Sequence, residues 1–234
     1  MPNFILIDKP PNITSHDVVD YLRRVTGERR IGHAGTLDPF ATGLLILGIG
    51  RAATRELGHF LKSDKEYIAT LHLGAASDTY DRTGKITEVR PPEVSPPEEV
   101  KPPQVADLQK ILQKFTGEQE QIPPMFSAKK INGKKMYELA RAGIVVPRQP
   151  VKIKIYELEI LDYAYPSLKI RVRSSSGTYI RSLAHDIGQA LGCGAYLKEL
   201  RRTKIGKYDV ANAHKLEKLA PETWHNFAVG ITPK

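Results

Sequence analysis

The chain has 234 residues, 41% hydrophobic and 26% charged, ordinary proportions for a soluble globular protein with one large domain or two small ones. No apolar run approaches the ~18 residues of a membrane span, and Phe4-Ile5-Leu6-Ile7 is too short for a signal-peptide core, so no membrane association is expected. One cysteine, Cys193, excludes an intramolecular disulfide and argues against a cysteine metal cluster, which together point to the cytoplasm. The net charge of +9 is uneven: residues 1–147 carry 20 Lys/Arg against 18 Asp/Glu, residues 148–207 carry 12 against 5, and residues 208–234 carry 3 against 3. A surplus of +7 within sixty residues is either a face for a polyanion, with nucleic acid the first candidate, or a solvated basic surface.

In chain order, Phe4–Ile7 reads as a strand leading into the breaker-rich turn Asp8-Lys9-Pro10-Pro11-Asn12. Thr14 or Ser15 caps a helix whose Val18, Val19, Leu22 and Val25 recur at helical spacing, and Gly27 ends it. A loop from Gly32 to Gly43 precedes the apolar run Leu44–Leu47, which has the length of a buried strand. Arg51 to Leu61 reads as a helix, Tyr67 to Leu73 as a half-buried strand, Ser77 to Gly84 as a turn, and Ile86 to Val89 as a short strand. Residues 91–103 hold six prolines, a linker or a Pro-rich surface excursion. Val105, Leu108, Ile111, Leu112 and Phe115 mark an amphipathic helix, and residues 125–146, with Lys129, Lys130, Lys134 and Lys135, a basic loop plus a short helix. Residues 105–147 thus read as an inserted region.

From residue 151 the period becomes two. Leu168, Ile170 and Val172 alternate with Lys169, Arg171 and Arg173, giving one apolar and one cationic face. After a turn at Ser174–Gly177, Ile180, Leu183, Ala184, Ile187 and Leu191 trace a helix face, and Tyr196 to Tyr208 reads as a strand. Strands and helices without a strict βαβ rhythm predict an α+β fold with a mixed, largely antiparallel central sheet flanked by helices, in a single domain over 1–234.

The Gly32–Gly43 loop carries the chemistry. Its three glycines permit backbone conformations that a side chain forbids, and Pro39 pushes Asp38 toward an extended conformation. Asp38 then sits on a shaped loop held by a buried strand, which suits a catalytic carboxylate; a turn aspartate bonded to its own backbone is the plain alternative. No phosphate-binding glycine fingerprint, close histidine ligand spacing or nucleophile elbow is present, so neither cofactor nor metal is expected.

The segment Gly32-His33-x-Gly35-Thr36-Leu37-Asp38-Pro39-x-Ala41-x-Gly43 resembles the catalytic motif of the TruB-type tRNA pseudouridine synthases. Further matches follow in the family's order: Lys9-Pro10 with Thr14-Ser15, Lys65-x-Tyr67, Asp78-Thr79-x-Asp81-x-x-Gly84, Gly177-Thr178-Tyr179-Ile180-Arg181-Ser182-Leu183-Ala184-x-Asp186, and Leu200-Arg201-Arg202-Thr203. The resemblance spans about residues 4–208. It implies the pseudouridine synthase fold and isomerisation of uridine to pseudouridine at position 55 of the tRNA T-loop, with no cofactor. Asp38 is implied as the nucleophile, attacking C1′ or the pyrimidine ring of a flipped-out uridine, and Arg181 as the cation paired with it. Tyr67 is implied to stack on the base and to share in proton transfer. His33 is implied in base extrusion, and Tyr179 and Leu200 in lining the uridine pocket. Lys9 is implied as a phosphate contact or network member, and Asp78 as a network member.

Two departures stand out. Asn12 occupies a position where the family usually has glycine, and Tyr208 one where phenylalanine is common. Bacterial members typically carry a small C-terminal RNA-binding domain. Here the residues after the last motif are expected to form only one short helix, Lys215 to Ala220. The expected partner is the tRNA T-arm, bound by a monomer. A guide-RNA-dependent synthase subunit and a non-catalytic RNA chaperone are the rival readings.

Overall fold

The computed structural model describes residues 3–89, 102–127, 130–131, 133–141, 143–144 and 146–230. The chain forms two compact units, one of Met1–Ile68 with Leu200–Lys234 and one of Ala69–Glu199. In chain order the first unit opens with β1 (Asn3–Lys9), α1 (Ser15–Thr26), β2 (Ile31–His33), β3 (Thr42–Ile49) and α2 (Gly50–Lys62). The chain passes into the second unit within β4 (Lys65–Leu73). There follow β5 (Ala75–Ser77), β6 (Ile86–Glu88), α3 (Val105–Lys114), β7 (Gly117–Gln121), β8 (Lys130–Ile131), β9 (Lys134–Lys135), α4 (Met136–Arg141), β10 (Val151–Ala164), β11 (Ser167–Ser174) and α5 (Ile180–Ala190). It returns within β12 (Ala195–Ile205) and ends in β13 (Tyr208–Asp209), three 3-10 turns and β14 (Val229–Gly230). Ten strands form a mixed sheet, mostly antiparallel, and β5–β6 and β8–β9 pair separately, an α+β fold.

In the first unit the strand order is β14-β1-β3-β12. β1 runs antiparallel to β3, from Asn3 opposite Ile49 to Lys9 opposite Gly43, while β12 is parallel to β3 at Arg201–Thr42 and Arg202–Gly43. The two continuous apolar runs now have a reason: both strands are buried on both faces. Ile5, Ile7, Leu45 and Leu47 pack with Val18, Val19 and Leu22 of α1, whereas Phe4, Leu6, Leu44 and Ile46 pack with Ala53, Leu57 and Phe60 of α2. Thr14 closes a capping box with Asp17, and Gly27 ends α1 in the left-handed conformation, φ 72°.

The tail departs from expectation. Lys215–Ala220 makes only a 3-10 turn at Leu216–Lys218. Beyond it, Leu219 and Trp224 enter the α1 side of the core, and β14 pairs antiparallel with β1. These residues carry no helical period, because they are fixed by distant contacts rather than by their neighbours.

In the second unit β10 pairs antiparallel with β11 and with β7, bulging between Ile155 and Glu157 and between Ile160 and Asp162. Strand β7 and the hairpin β8–β9 lie where only loop and helix were expected. Ile180, Leu183, Ala184 and Ile187 bury one face of α5, and a Cβ on Gly188 would stand 2.0 Å from the Ala195 nitrogen, so only glycine fits. The Pro-rich stretch 91–103, apart from Pro102 and Pro103, and Lys129 lie outside the described residues.

Candidate active site

The Asp38 loop runs from the end of β2 to the start of β3. Gly35 and Gly43 adopt φ 97° and 102°, the left-handed region that favours glycine. A side chain on Gly43 would meet the Arg202 carbonyl oxygen at 2.2 Å, so β12 can lie beside β3 only over a glycine.

Around Asp38 the backbone is tied residue by residue. Ser15 Oγ accepts from Leu37 N at 2.9 Å and donates to Leu37 O at 3.2 Å. Asp38 O accepts from Ala41 N at 3.0 Å. Pro39 O accepts from Asn12 N at 2.8 Å and from Lys9 Nζ at 3.2 Å. Thr14 and Ser15 thus divide the work, one capping α1 and the other clamping the loop. Asn12 supplies the glycine-like geometry of its turn, φ 67°.

Buried cations surround this loop. Lys9 is fully buried, and its ammonium donates to the carbonyls of Pro10 (2.9 Å), Ile13 (2.7 Å) and Pro39 (3.2 Å). All three ammonium protons are engaged, which makes Lys9 a brace for the loop and leaves none for a substrate phosphate. Burial lowers its pKa from 10.5 to about 8, against the pull of the nearby Asp38 carboxylate. Lys65 is also buried. Its Nζ caps the end of α2 at Phe60 O (3.2 Å), Leu61 O (2.6 Å) and Ser63 O (2.5 Å), and burial brings its pKa to about 8.

Arg202 is the hub. Only 2% exposed, it donates from Nε to Leu44 O at 2.8 Å and from Nη2 to Gly35 O at 3.0 Å, joining the two ends of the Asp38 loop. Burial lowers its pKa, and a hydrogen bond with the Tyr67 hydroxyl works the other way. Its charge is felt by Lys9, Lys65 and His33. Arg201, one residue earlier, points to the opposite face of β12 and forms a two-pronged pair with Asp8 at 2.9 and 2.8 Å.

The other expected residues of this unit fall around the same hub. Tyr67 is 8% exposed at the start of β4, beside Arg202. Leu200 is buried on the Arg202 face of β12, two positions earlier. His33 ends β2 half-buried. Burial, Arg202 and His16 lower its pKa, against a hydrogen bond with the Gly35 backbone, so its ring is neutral near pH 7.

Tyr179, Arg181 and Asp78 belong to the second unit. Tyr179 precedes α5, its backbone N–H donating to Gln121 Oε1 at 2.8 Å and its carbonyl accepting from Gln121 Nε2 at 3.0 Å. Arg181 is 5% exposed and donates to Thr79 O at 3.1 Å and Phe126 O at 2.6 Å. Its charge meets Asp81 Oδ2 at 3.3 Å. Asp81, 3% exposed, also accepts from Thr79 Oγ1, Thr83 N and Thr83 Oγ1. Asp78 is exposed and accepts from Lys85 N at 2.8 Å, closing the turn. Of the two aspartates in this motif, Asp81 touches the arginine and Asp78 shapes the loop. Lys65, Asp81 and Arg202 stand in the motifs without an expected role, and Ser15 was expected only as a possible cap of α1. Gln121 carried no signal.

Seven of the twelve cations in 148–207 are buried or paired. Arg181 and Arg202 are buried, Arg171 and Arg173 pair across strands with Glu159 and Glu157, Lys154 pairs with Glu118, Arg201 with Asp8 and Lys204 with Glu66. Counting charges within the segment misses the partners outside it, Glu118, Asp8 and Glu66. Among the described residues, no group of three or more His, Cys, Asp or Glu side chains is placed to hold a metal ion, and no helix is long and apolar enough to cross a membrane.

Comparison with known proteins identifies the family. Residues 23–180 match the N-terminal domain of the TruB family pseudouridylate synthases, and residues 181–228 match the tRNA pseudouridylate synthase B C-terminal domain. The tRNA pseudouridine synthase B of Protochlamydia amoebophila is 49% identical over 212 residues, 91% of this chain and 77% of that protein. The enzyme of the same name from Chlamydia abortus is 47% identical over 206 residues, 88% of this chain and 83% of that protein. Among solved structures, an H/ACA ribonucleoprotein bound to a substrate RNA containing 2′-deoxyuridine matches with a TM-score of 0.68 and 28% identity, covering 96% of this chain. This chain spans 55% of the length of that one.

Proposed function

This chain belongs to the TruB family of pseudouridylate synthases, and on that basis we propose that it isomerises uridine to pseudouridine in tRNA, at position 55 of the T-loop. The observation that carries the proposal is the bracing of Asp38: the backbone of Leu37, Asp38 and Pro39 is held on successive residues, while Asp38 itself stays half-buried. A nucleophile held in position before substrate arrives loses little entropy on reaction. A base within a folded loop must be turned out to reach it.

Asp38 acts as the nucleophile, at C1′ or at the pyrimidine ring. Tyr67 offers a ring for the extruded base, a contact worth ~1–3 kcal/mol. His33, its ring kept neutral by burial and the nearby Arg202, assists extrusion. The family resemblance assigns Leu200 and Tyr179 to binding the uridine and Arg181 to supplying a cation. The reaction is redox-neutral and draws on no cofactor. The enzyme acts as a monomer in the cytoplasm. Its higher identity to enzymes named tRNA pseudouridine synthase B than to the H/ACA structure favours action without a guide RNA.

Tritium release from a tRNA transcript labelled at uridine C5 tests the proposal. About one equivalent per tRNA is expected from a transcript with U55 and none when C stands there. Release that persists with C55 would refute the position, and no release from either would refute the reaction.

A further inference from the structure

The turn that holds Arg181 contains an unusual residue. Tyr80 lies between Thr79, whose carbonyl accepts from Arg181, and Asp81, whose carboxylate pairs with it. It has φ 65°, one of two non-glycine residues with positive φ among those described, the other being Asn12. Asparagine tolerates that region; an aromatic residue there is strained and must be held by its surroundings. What holds it is visible. The Tyr80 ring stacks on His185 with centroids 4.0 Å apart and planes 16° from parallel. On the backbone, Tyr80 N donates to Ser77 O at 3.0 Å and Tyr80 O accepts from Leu197 N at 2.9 Å.

His185 stands four residues after Arg181 on α5, so the two side chains share one face of the helix, a turn apart. Its Nδ1 is buried without a hydrogen-bond partner, and burial and nearby Arg148 lower its pKa, leaving a neutral ring suited to stacking. The ring is therefore placed by the stack and not by hydrogen bonds at that nitrogen.

We propose that Tyr80 and His185 are positioning residues: their stack locks the Thr79–Asp81 turn to α5, one turn beyond Arg181, and so fixes the direction of the Arg181 guanidinium. The inference rests on the role of Arg181 proposed above. Thr79 O and Asp81 Oδ2 are aimed at the arginine only while residue 80 keeps its left-handed conformation. The stack couples that conformation to the helix that carries the arginine.

The test compares Tyr80→Gly, Tyr80→Phe and Arg181→Lys by single-turnover tritium release with enzyme in excess, a rate constant independent of the active fraction. The affinity for tRNA and the Tm are measured alongside. Glycine adopts positive φ freely, so Tyr80→Gly removes the stack and relieves the strain. The expected result is a rate constant lowered about tenfold or more in Tyr80→Gly, with unchanged affinity and a Tm no lower than wild type. Tyr80→Phe keeps the ring and should stay within about twofold of wild type. A wild-type rate in Tyr80→Gly, or a fall in Tyr80→Phe as large as in Tyr80→Gly, would overturn the stack. Weaker tRNA binding at an unchanged rate would overturn it as well, making Tyr80 a binding residue. Arg181→Lys separates the two claims. If its rate is normal, the role of Arg181 itself fails; if it is inactive while Tyr80→Gly is normal, only the stack does.

Discussion

At Lys9 the local sequence and the folded environment point in different directions. A lysine beside two prolines would ordinarily be exposed, yet here it is fully buried and spends its ammonium on three carbonyls, one of them next to Asp38. The arrangement has a pH signature. The folded-state pKa of about 8 lies below the unfolded value, so between about pH 8 and 10.5 the unfolded chain holds the extra proton and stability rises with pH. Below that window the desolvation cost is present in full. Lys9→Met lacks this titration and strands the three carbonyls. It should be less stable than wild type at pH 7.5, and the gap should widen by about 1–2 kcal/mol by pH 9.5. Urea midpoints at the two pH values check this; a constant gap would mean that the ammonium is not held at a depressed pKa.

At the scale of elements, what the sequence made legible was local. Thr14, the Val18-Val19-Leu22 stripe and Gly27 mark α1 because capping and amphipathic spacing act within a few residues. The apolar runs of β1 and β3 mark strands buried on both faces. The ties that make the loop a site are long-range. Ser15 meets Leu37 across 22 positions, and Arg202 meets Gly35 across 167, and no periodicity encodes such pairs. The motifs contained these residues, but only packing shows that Ser15 clamps, Lys65 caps and Asp81 rather than Asp78 pairs with the arginine. Ser15→Ala leaves the Leu37 N–H and C=O without their partner in a buried position. A stability loss of about 1–3 kcal/mol is expected. Because Asp38 follows Leu37 directly, the turnover rate should also fall, by about tenfold, with affinity for tRNA unchanged. Equal stability loss with unaltered turnover would show that the clamp serves folding alone.

For the molecule as a whole, the tail and the charge distribution were the parts least legible. Trp224 joins Ile5, Val18 and Leu47 in one core although more than 170 residues separate it from each of them. Residues that look like a short helical remnant therefore finish the first unit, closing its core and pairing β14 with β1. Trp224→Ala should cost about 3–5 kcal/mol and lower the denaturant midpoint without changing the nucleophile. A change under about 1 kcal/mol would show that the tail is dispensable to that core. The +7 of residues 148–207 already counts Glu157 and Glu159, and Glu118, Asp8 and Glu66 from outside the segment pair with three more of its cations.

Asp38, on its braced loop, is the proposed nucleophile. The most direct measurement is single-turnover tritium release by wild type and Asp38→Asn on the same C5-labelled transcript, with tRNA affinity determined for both. Asparagine keeps the shape of the side chain and removes its charge and nucleophilicity. Wild type should release tritium and Asp38→Asn none detectable, with affinities within about threefold of each other, since the loop is tied through its backbone. Release by Asp38→Asn at a rate near wild type would contradict that role.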